Sequence, residues 1–228
     1  VGARAKVTGF EDKTTKGRRP NGIYIPRFRN LGGETNTDKF KRGYGYQGGA
    51  SRTSLSELVA EVKYGPELKE AILKPGEWYV GLTAFGETLP DHNNKMSLDY
   101  EKLDEWGLPT VTFDADFGEN ELAMRKDMQE QAVRMLTAAG YEDVRGYDNT
   151  QGRAMGLGIH EMGTARMGRD PKTSVLNKHN QIHSCTNVYV TDGAFMTSAA
   201  CHNPSLGYMA FTARAANHAA EQLKKTNA

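Results

Sequence analysis

Gly158-Ile159-His160-Glu161-Met162-Gly163-Thr164-Ala165-Arg166-Met167-Gly168, then Val188-Tyr189-Val190-Thr191-Asp192-Gly193, then Cys201-His202-Asn203-Pro204-Ser205-Leu206 follow one another near the end of the chain, and their reading decides the fold. The first is a glycine-punctuated loop built around one histidine. The second is rich in β-branched and aromatic residues and closes on Asp-Gly, which predicts a strand running into a turn. The third sets Asn and Pro ahead of an Ala-rich run. That order predicts a helix from Pro204 to about Lys224, with Asn203 as its N-cap and Pro204 at the first helical position. Leu206, Met209, Ala210, Ala213, Ala216, Ala220 and Leu223 fall on one stripe of that helix, and its many alanines imply close approach to a partner layer.

Working outward, Asn120 to Ala139 reads as the clearest helix: Leu122, Met128, Ala132, Met135 and Leu136 recur near helical spacing and Gly140 stops it. Pro66 to Leu73 predicts a short helix ended by Pro75-Gly76. Trp78 to Gly86 predicts a long strand, with further strands at Lys95–Leu98 and Thr110–Phe113. Residues 1–53 read as strand and loop, with Ile23-Tyr24-Ile25 and Phe28 as strand and Gly43 to Gly49 as loop. The glycines in that last run satisfy Gly-x-Gly-x-x-Gly. They follow Asp38-Lys39-Phe40-Lys41-Arg42 rather than an apolar strand, and tyrosines stand where a pyrophosphate would need room, so the run reads as a decoy. The fold class is therefore α+β, a mixed and largely antiparallel sheet with covering helices.

The 228 residues, 38% of them hydrophobic, can bury one sizeable core or two small ones, and no apolar run is long enough to span a membrane. With 29 basic and 28 acidic residues the net charge is +1, which gives no field for nucleic acid. The run Lys13-Thr14-Thr15-Lys16-Gly17-Arg18-Arg19 reads as a solvated loop. Cys185 and Cys201 cannot build a disulfide framework, and Cys201 reads as a small buried side chain beside Asn203. His179, His183 and Cys185 share a His-x-x-x-His-x-Cys spacing that does not amount to a tetrahedral set, so no metal is expected.

Removing a hydride from a carbinol needs a base for the hydroxyl proton, a polar group to hold the alkoxide oxygen, and positive potential to receive electron density. His160, Asn203 and the start of the last helix could supply these in that order. Imidazole accepts a proton near neutral pH without the large tuning a lysine or tyrosine would need. Asn203 has a rival use as an ordinary helix cap, and His202 beside it is an alternative second active-site group.

The three blocks resemble the C-terminal part of the glucose–methanol–choline (GMC) flavin oxidoreductases. His160 to Gly168 is similar to that family's His-x-x-Gly-Thr-x-x-Met-Gly block, whose histidine is the active-site base. Val188 to Gly193 is similar to the strand and turn that reach the flavin. Asn203-Pro204-Ser205 is similar to the Asn-Pro form of the second active-site position, which other branches fill with histidine. Arg19 to Phe28 and Glu87-Thr88-Leu89-Pro90 fit the branch of sugar and sugar-acid dehydrogenases and pyranose-type oxidases.

The resemblance implies a substrate-binding domain over residues 1–157. It implies that residues 158–228 carry the active-site block and a returning strand-helix segment that completes an FAD-binding domain. It places FAD beside Asp192, Gly193, Pro204, Ser205 and Leu206, and a sugar, sugar acid, polyol or other alcohol beside His160 and Asn203. Electrons would pass to a cytochrome or other electron-acceptor subunit, a quinone or dye-like acceptor, or oxygen, and the compartment stays open between periplasm and cytoplasm. The ADP-binding half of such a domain precedes these residues in the family, and no Gly-x-Gly-x-x-Gly here follows a strand and opens a helix. The chain therefore reads as a fragment that would hold FAD weakly or not at all by itself. A non-catalytic binding or assembly module is the alternative.

Overall fold

A computed structural model describes residues 1–9, 22–52, 65–73, 77–149, 155–156 and 158–226. The basic run at residues 13–19, and the part of the 19–28 block before Gly22, lie outside the described residues. The chain divides into two compact units, Val1–Leu89 with Phe117–Gly152, and Pro90–Asp116 with Arg153–Ala228.

The first unit is an antiparallel sheet covered by a helix. Its strands are β1 (Gly2–Val7), β2 (Ile23–Ile25), β3 (Tyr44–Arg52), β4 (Trp78–Gly86) and β7 (Glu142–Tyr147), in the spatial order β2-β3-β4-β1-β7. A short helix α1 (Pro66–Leu73) lies between β3 and β4 in sequence. The covering helix α2 (Glu119–Ala138) buries Met124, Met128, Ala132 and Leu136, four residues apart each time, against Ala3, Ala5, Val80 and Leu82 of the sheet. Met128, Ala132 and Leu136 face inward as expected, with Met135 partly buried beside them, but Met124 takes the place expected of Leu122, which is exposed, because Met124 continues the four-residue spacing of that inward row. The carboxylate of Glu121 reaches back to accept hydrogen bonds from the backbone N–H groups of Gly118 and Leu89, each at 3.0 Å, and so fixes the helix entry.

The Gly43–Gly49 run is strand from Tyr44 onward, not loop. Tyr44 and Tyr46 alternate with Gly45 and point into the core, where their rings meet edge to face at 5.5 Å. The Tyr46 hydroxyl donates to the Met128 carbonyl at 2.6 Å, and that of Tyr44 donates to the Asp127 carboxylate. Arg29 holds the same carboxylate with two bonds of 2.8 and 2.9 Å. Burial pushes both phenols well above their ordinary pKa, so they remain donors.

The glycines belong in this strand for a steric reason. A Cβ on Gly48 would lie 2.2 Å from the Gly81 carbonyl oxygen of the neighbouring strand, whereas one on Gly49 would meet nothing closer than 3.8 Å. Gly48→Ala is therefore expected to lower the unfolding free energy by at least ~1–3 kcal/mol. Gly49→Ala should be neutral or slightly stabilising, because it loses only glycine's unfolded-state freedom. Denaturant midpoints of the two variants check the contrast, and equal midpoints would refute this steric account of β3.

The second unit carries a hairpin, β5 (Lys95–Leu103) with β6 (Pro109–Asp114), a small pair, β8 (Gln181–Ile182) with β9 (Cys185–Tyr189), and the long helix α3 (Ser205–Thr226). Tyr208, Phe211, Ala215 and His218 form the inner face of α3. Phe195 packs on Phe211 at 4.8 Å and on Tyr208 at 6.4 Å, and Ala215 is buried. Arg214 lies over the Phe211 ring and donates to the buried Asn180 amide oxygen at 3.1 Å, while the Asn180 amide nitrogen donates to the Val190 carbonyl at 3.0 Å. Those bonds satisfy a fully buried amide that would otherwise be costly. The stripe read from sequence is the other face: Leu206, Met209, Ala210, Ala213, Ala216, Ala220 and Leu223 are all exposed.

Candidate active site

The site segments all belong to the second unit, and three of them converge. The His160 segment runs beside the turn after β9. Ala165 N–H donates to the Ala194 carbonyl and Met167 N–H to the Phe195 carbonyl, each at 3.0 Å, and Gly168 N–H donates to the Leu176 carbonyl at 2.8 Å. His160 itself is half-buried, and no hydrogen bond among the described residues engages its ring. Ile159 ahead of it has φ 59° although it is β-branched and 87% exposed. That conformation costs on the order of 1–2 kcal/mol for such a residue and is kept only where its surroundings impose it. Gly163, with φ +90°, supplies the glycine turn after the histidine.

Strand β9 ends at Tyr189, before the expected Val190-Thr191: Val190 N–H still donates to the Asn180 carbonyl opposite it at 2.9 Å, but Asn180, with φ 62°, gives its own N–H to the Asn177 carbonyl and not back across the pair. Asp192 then caps a single 3-10 turn, Gly193–Phe195, by accepting from Ala194 N–H at 2.9 Å. Its carboxylate is exposed, and Gly193 presents bare backbone. A Cβ on Gly193 would stand 2.8 Å from the Tyr208 hydroxyl, 2.9 Å from Met162 Sδ and 3.1 Å from the Glu161 carbonyl oxygen.

The last helix begins one residue later than expected. Its first i→i−4 bond runs from Tyr208 N–H to the Pro204 carbonyl at 3.0 Å, so Pro204, which is buried, takes the N-cap place. Asn203 lies outside the helix, is exposed, and makes no capping bond to any described residue. The first accepting carbonyl is that of Pro204 rather than that of Asn203, which leaves Asn203 one residue outside the helix. Ser205, Leu206 and Gly207 precede the ladder, so their N–H groups have no helical partner, and no acidic residue occupies the first turn. Ser205 and Leu206 are exposed, as is His202. Ala200, with φ 53°, bends the chain just ahead of buried Cys201.

His179, His183 and Cys185 face different partners. The His179 ring stacks on His218 at 3.9 Å, His183 Nε2 lies 3.2 Å from Ser174 Oγ and 3.3 Å from the Gly168 carbonyl, and Cys185 Sγ is 3.0 Å from Asn187 Oδ1. Burial first, and then the positive charge of His218, Lys178 and Arg214, hold His179 below its ordinary pKa. Among the described residues no three His, Cys, Asp or Glu side chains gather as a metal would require. Nor is any helix among them long and apolar enough to cross a membrane.

Sequence reasoning passed over Met162 and Tyr208, which meet at Gly193. The signal was present as a helical aromatic one turn inside the Asn-Pro start, on the face opposite the alanine stripe.

Comparison with known proteins agrees with the C-terminal location. A family model described as GMC oxidoreductase matches residues 90–212. The chain is 34% identical over 137 residues to 2-methyl-1,2-propanediol dehydrogenase of Mycolicibacterium austroafricanum, covering 59% of this chain and 24% of that protein. It is 28% identical over 183 residues to the fructose dehydrogenase large subunit of Gluconobacter japonicus, covering 80% and 32%. It is 25% identical over 205 residues to the gluconate 2-dehydrogenase flavoprotein of Pantoea cypripedii, covering 83% and 33%. The chain thus spans a quarter to a third of the length of these relatives.

Proposed function

Because the chain belongs to the GMC oxidoreductase family, we propose that it is the C-terminal part of an FAD-dependent enzyme that oxidises a CH–OH group of a sugar, sugar acid or polyol. His160 takes the hydroxyl proton and Asn203 holds the carbinol oxygen. The observation that carries this reading is the convergence of the His160 segment, the Asp192–Gly193 turn and the first turn of α3 at Gly193. Two of the segments lead with polar side chains that no hydrogen bond among the described residues consumes.

The residues present fit a flavin. The unladdered N–H groups of Ser205, Leu206 and Gly207, with no carboxylate in the same turn, offer donors and the positive helix end to an electron-rich ring edge. Asp192 and the bare Gly193 backbone offer a close approach beside them, and buried Pro204 fixes where the helix begins. Bound there, the flavin supplies the hydride acceptor. The chain's own residues do the rest: His160 moves the proton, and Asn203 donates to the oxygen as it gathers charge.

The remaining assignments are proposals on the same footing. Residues 1–157 form the substrate-binding domain, and residues 158–228 return to complete the FAD-binding domain. The exposed stripe from Leu206 to Leu223 supports this, since a layer laid against it would be the FAD-binding half that the 228 residues do not include. By themselves they would hold FAD weakly. The relatives named as a diol dehydrogenase, a fructose dehydrogenase and a gluconate dehydrogenase suggest the substrate classes, and the electrons pass to a cytochrome, a quinone or dye-like acceptor, or oxygen.

The test is anaerobic. The flavin-loaded full-length protein is mixed with a 1,2-diol, a ketohexose and an aldonate, and the flavin absorbance is followed. Bleaching by at least one of them is expected. A flavin-loaded protein that none of these carbinols bleaches would turn the reading toward a binding or assembly module.

A further inference from the structure

We propose that Tyr208 is a positioning residue that sets the spacing between His160 and Asn203. It does so by seating its hydroxyl where the His160 segment, the Asp192–Gly193 turn and the first turn of α3 meet. The inference rests on the catalytic reading of His160 and Asn203.

Three groups approach Gly193 so closely that a Cβ there would be 2.8 Å from the Tyr208 hydroxyl, 2.9 Å from Met162 Sδ and 3.1 Å from the Glu161 carbonyl oxygen. Glu161 and Met162 directly follow His160. The Tyr208 hydroxyl lies 3.6 Å from Met162 Sδ, within reach of an O–H···S contact. At the other end of the residue, Tyr208 N–H makes the first ladder bond of α3, to the Pro204 carbonyl, one residue after Asn203. One residue therefore ties the two: its backbone belongs to the helix start that follows Asn203, and its side chain reaches the segment that carries His160.

The ring is held from behind. Its edge contacts Phe195 at 6.4 Å, Phe195 packs on Phe211 at 4.8 Å, and the Phe195 carbonyl accepts from Met167 N–H. Burial, and then the carboxylates of Asp192 and Glu161, raise the phenol above its ordinary pKa, so the hydroxyl stays a neutral donor through the working range. The absence of a side chain at Gly193 makes room for this junction. Catalytic groups lose rate steeply with displacement, because a shift of about 1 Å from a remote change can cost on the order of 10²-fold.

The test uses the flavin-loaded full-length protein. Tyr208→Ala is expected to slow flavin reduction per bound flavin at saturating alcohol by roughly 10- to 100-fold, with a smaller change in KM. Tyr208→Phe, which keeps the ring against Phe195 but takes the hydroxyl out of the junction at Gly193, should also be slowed, by less than the alanine variant. Tyr208→Leu stands in if the alanine variant does not fold. As a readout independent of turnover, amide exchange at Ala165 and Met167 should accelerate in Tyr208→Ala, while that at Val190, bonded to Asn180, stays unchanged. Wild-type rate per bound flavin in the alanine or leucine variant would overturn the inference, even if melting temperature or flavin content fell. If His160→Ala is slow and Tyr208→Ala is not, the catalytic reading stands and this inference falls. If His160→Ala runs at wild-type speed, the catalytic reading itself fails and Tyr208 has no spacing to set.

Discussion

Replacing His160 with alanine in the flavin-loaded full-length protein is expected to slow flavin reduction by ~10²-fold or more, the usual contribution of a positioned general base. Flavin content and thermal stability should stay close to wild type. The structure makes the experiment clean. The His160 ring has no hydrogen-bond partner among the described residues, so its removal strands no buried donor or acceptor. A half-exposed side chain with no such bond normally changes stability by no more than about 0.5 kcal/mol on truncation. A large loss of rate would therefore report chemistry rather than unfolding. Anaerobic stopped-flow bleaching at substrate saturation measures it, with total flavin read from the denatured protein. The strained φ of Ile159 gives a second reason to look here. Ile159 is exposed, so its strain serves no core packing. Bleaching of His160→Ala at wild-type speed would remove the histidine from the mechanism.

The elements that were legible in the sequence are those whose own composition dictates them. Trp78 to Gly86 is strand as expected, the 120–139 helix appears as Glu119–Ala138, and the short helix lies at Pro66–Leu73. The failures have a common physical cause, which is that the deciding atoms belong to another segment. Glycine-rich Tyr44 to Gly49 reads as loop until the Gly81 carbonyl is seen beside Gly48. The strand at Gly2–Val7 carries too weak an apolar pattern to stand out from residues 1–53, yet it lies between β4 and β7 in the sheet. On α2 the choice between Leu122 and Met124 is settled by the sheet beneath. On α3 both faces are apolar enough to pack, and only the position of Phe195 shows that Tyr208, Phe211 and Ala215 are the inner ones. The candidate site divides in the same way. His160, Asn203 and the Asp-Gly turn stand out through the family resemblance of the blocks that carry them, since residue type alone favours a structural histidine and an ordinary cap, whereas Met162 and Tyr208 are visible only once the three segments meet at Gly193.

Asn203 should separate stability from catalysis in the opposite direction to an ordinary helix cap. A cap lost to alanine costs about 1 kcal/mol, but Asn203 makes no capping bond here, since the ladder starts at the Pro204 carbonyl. Asn203→Ala is therefore expected to melt within the error of wild type while flavin reduction falls ~10²- to 10³-fold, the effect of removing one donor from a developing oxyanion. Asn203→Asp sharpens the test. The side chain keeps its shape, and a carboxylate near the positive end of α3 would add roughly 0.3–1 kcal/mol of stability. The same charge would stand beside the substrate oxygen at the moment it loses its proton to His160, and it offers an acceptor where a donor is needed. The aspartate variant should therefore melt at or above the wild-type temperature and turn over no faster than the alanine variant. That inverse relation is not produced by a residue whose work is structural, for which rate and stability fall together. If Asn203→Asp reduces flavin at the wild-type rate, the amide does not hold the carbinol oxygen, and the second active-site place passes to exposed His202, for which His202→Ala is the corresponding measurement.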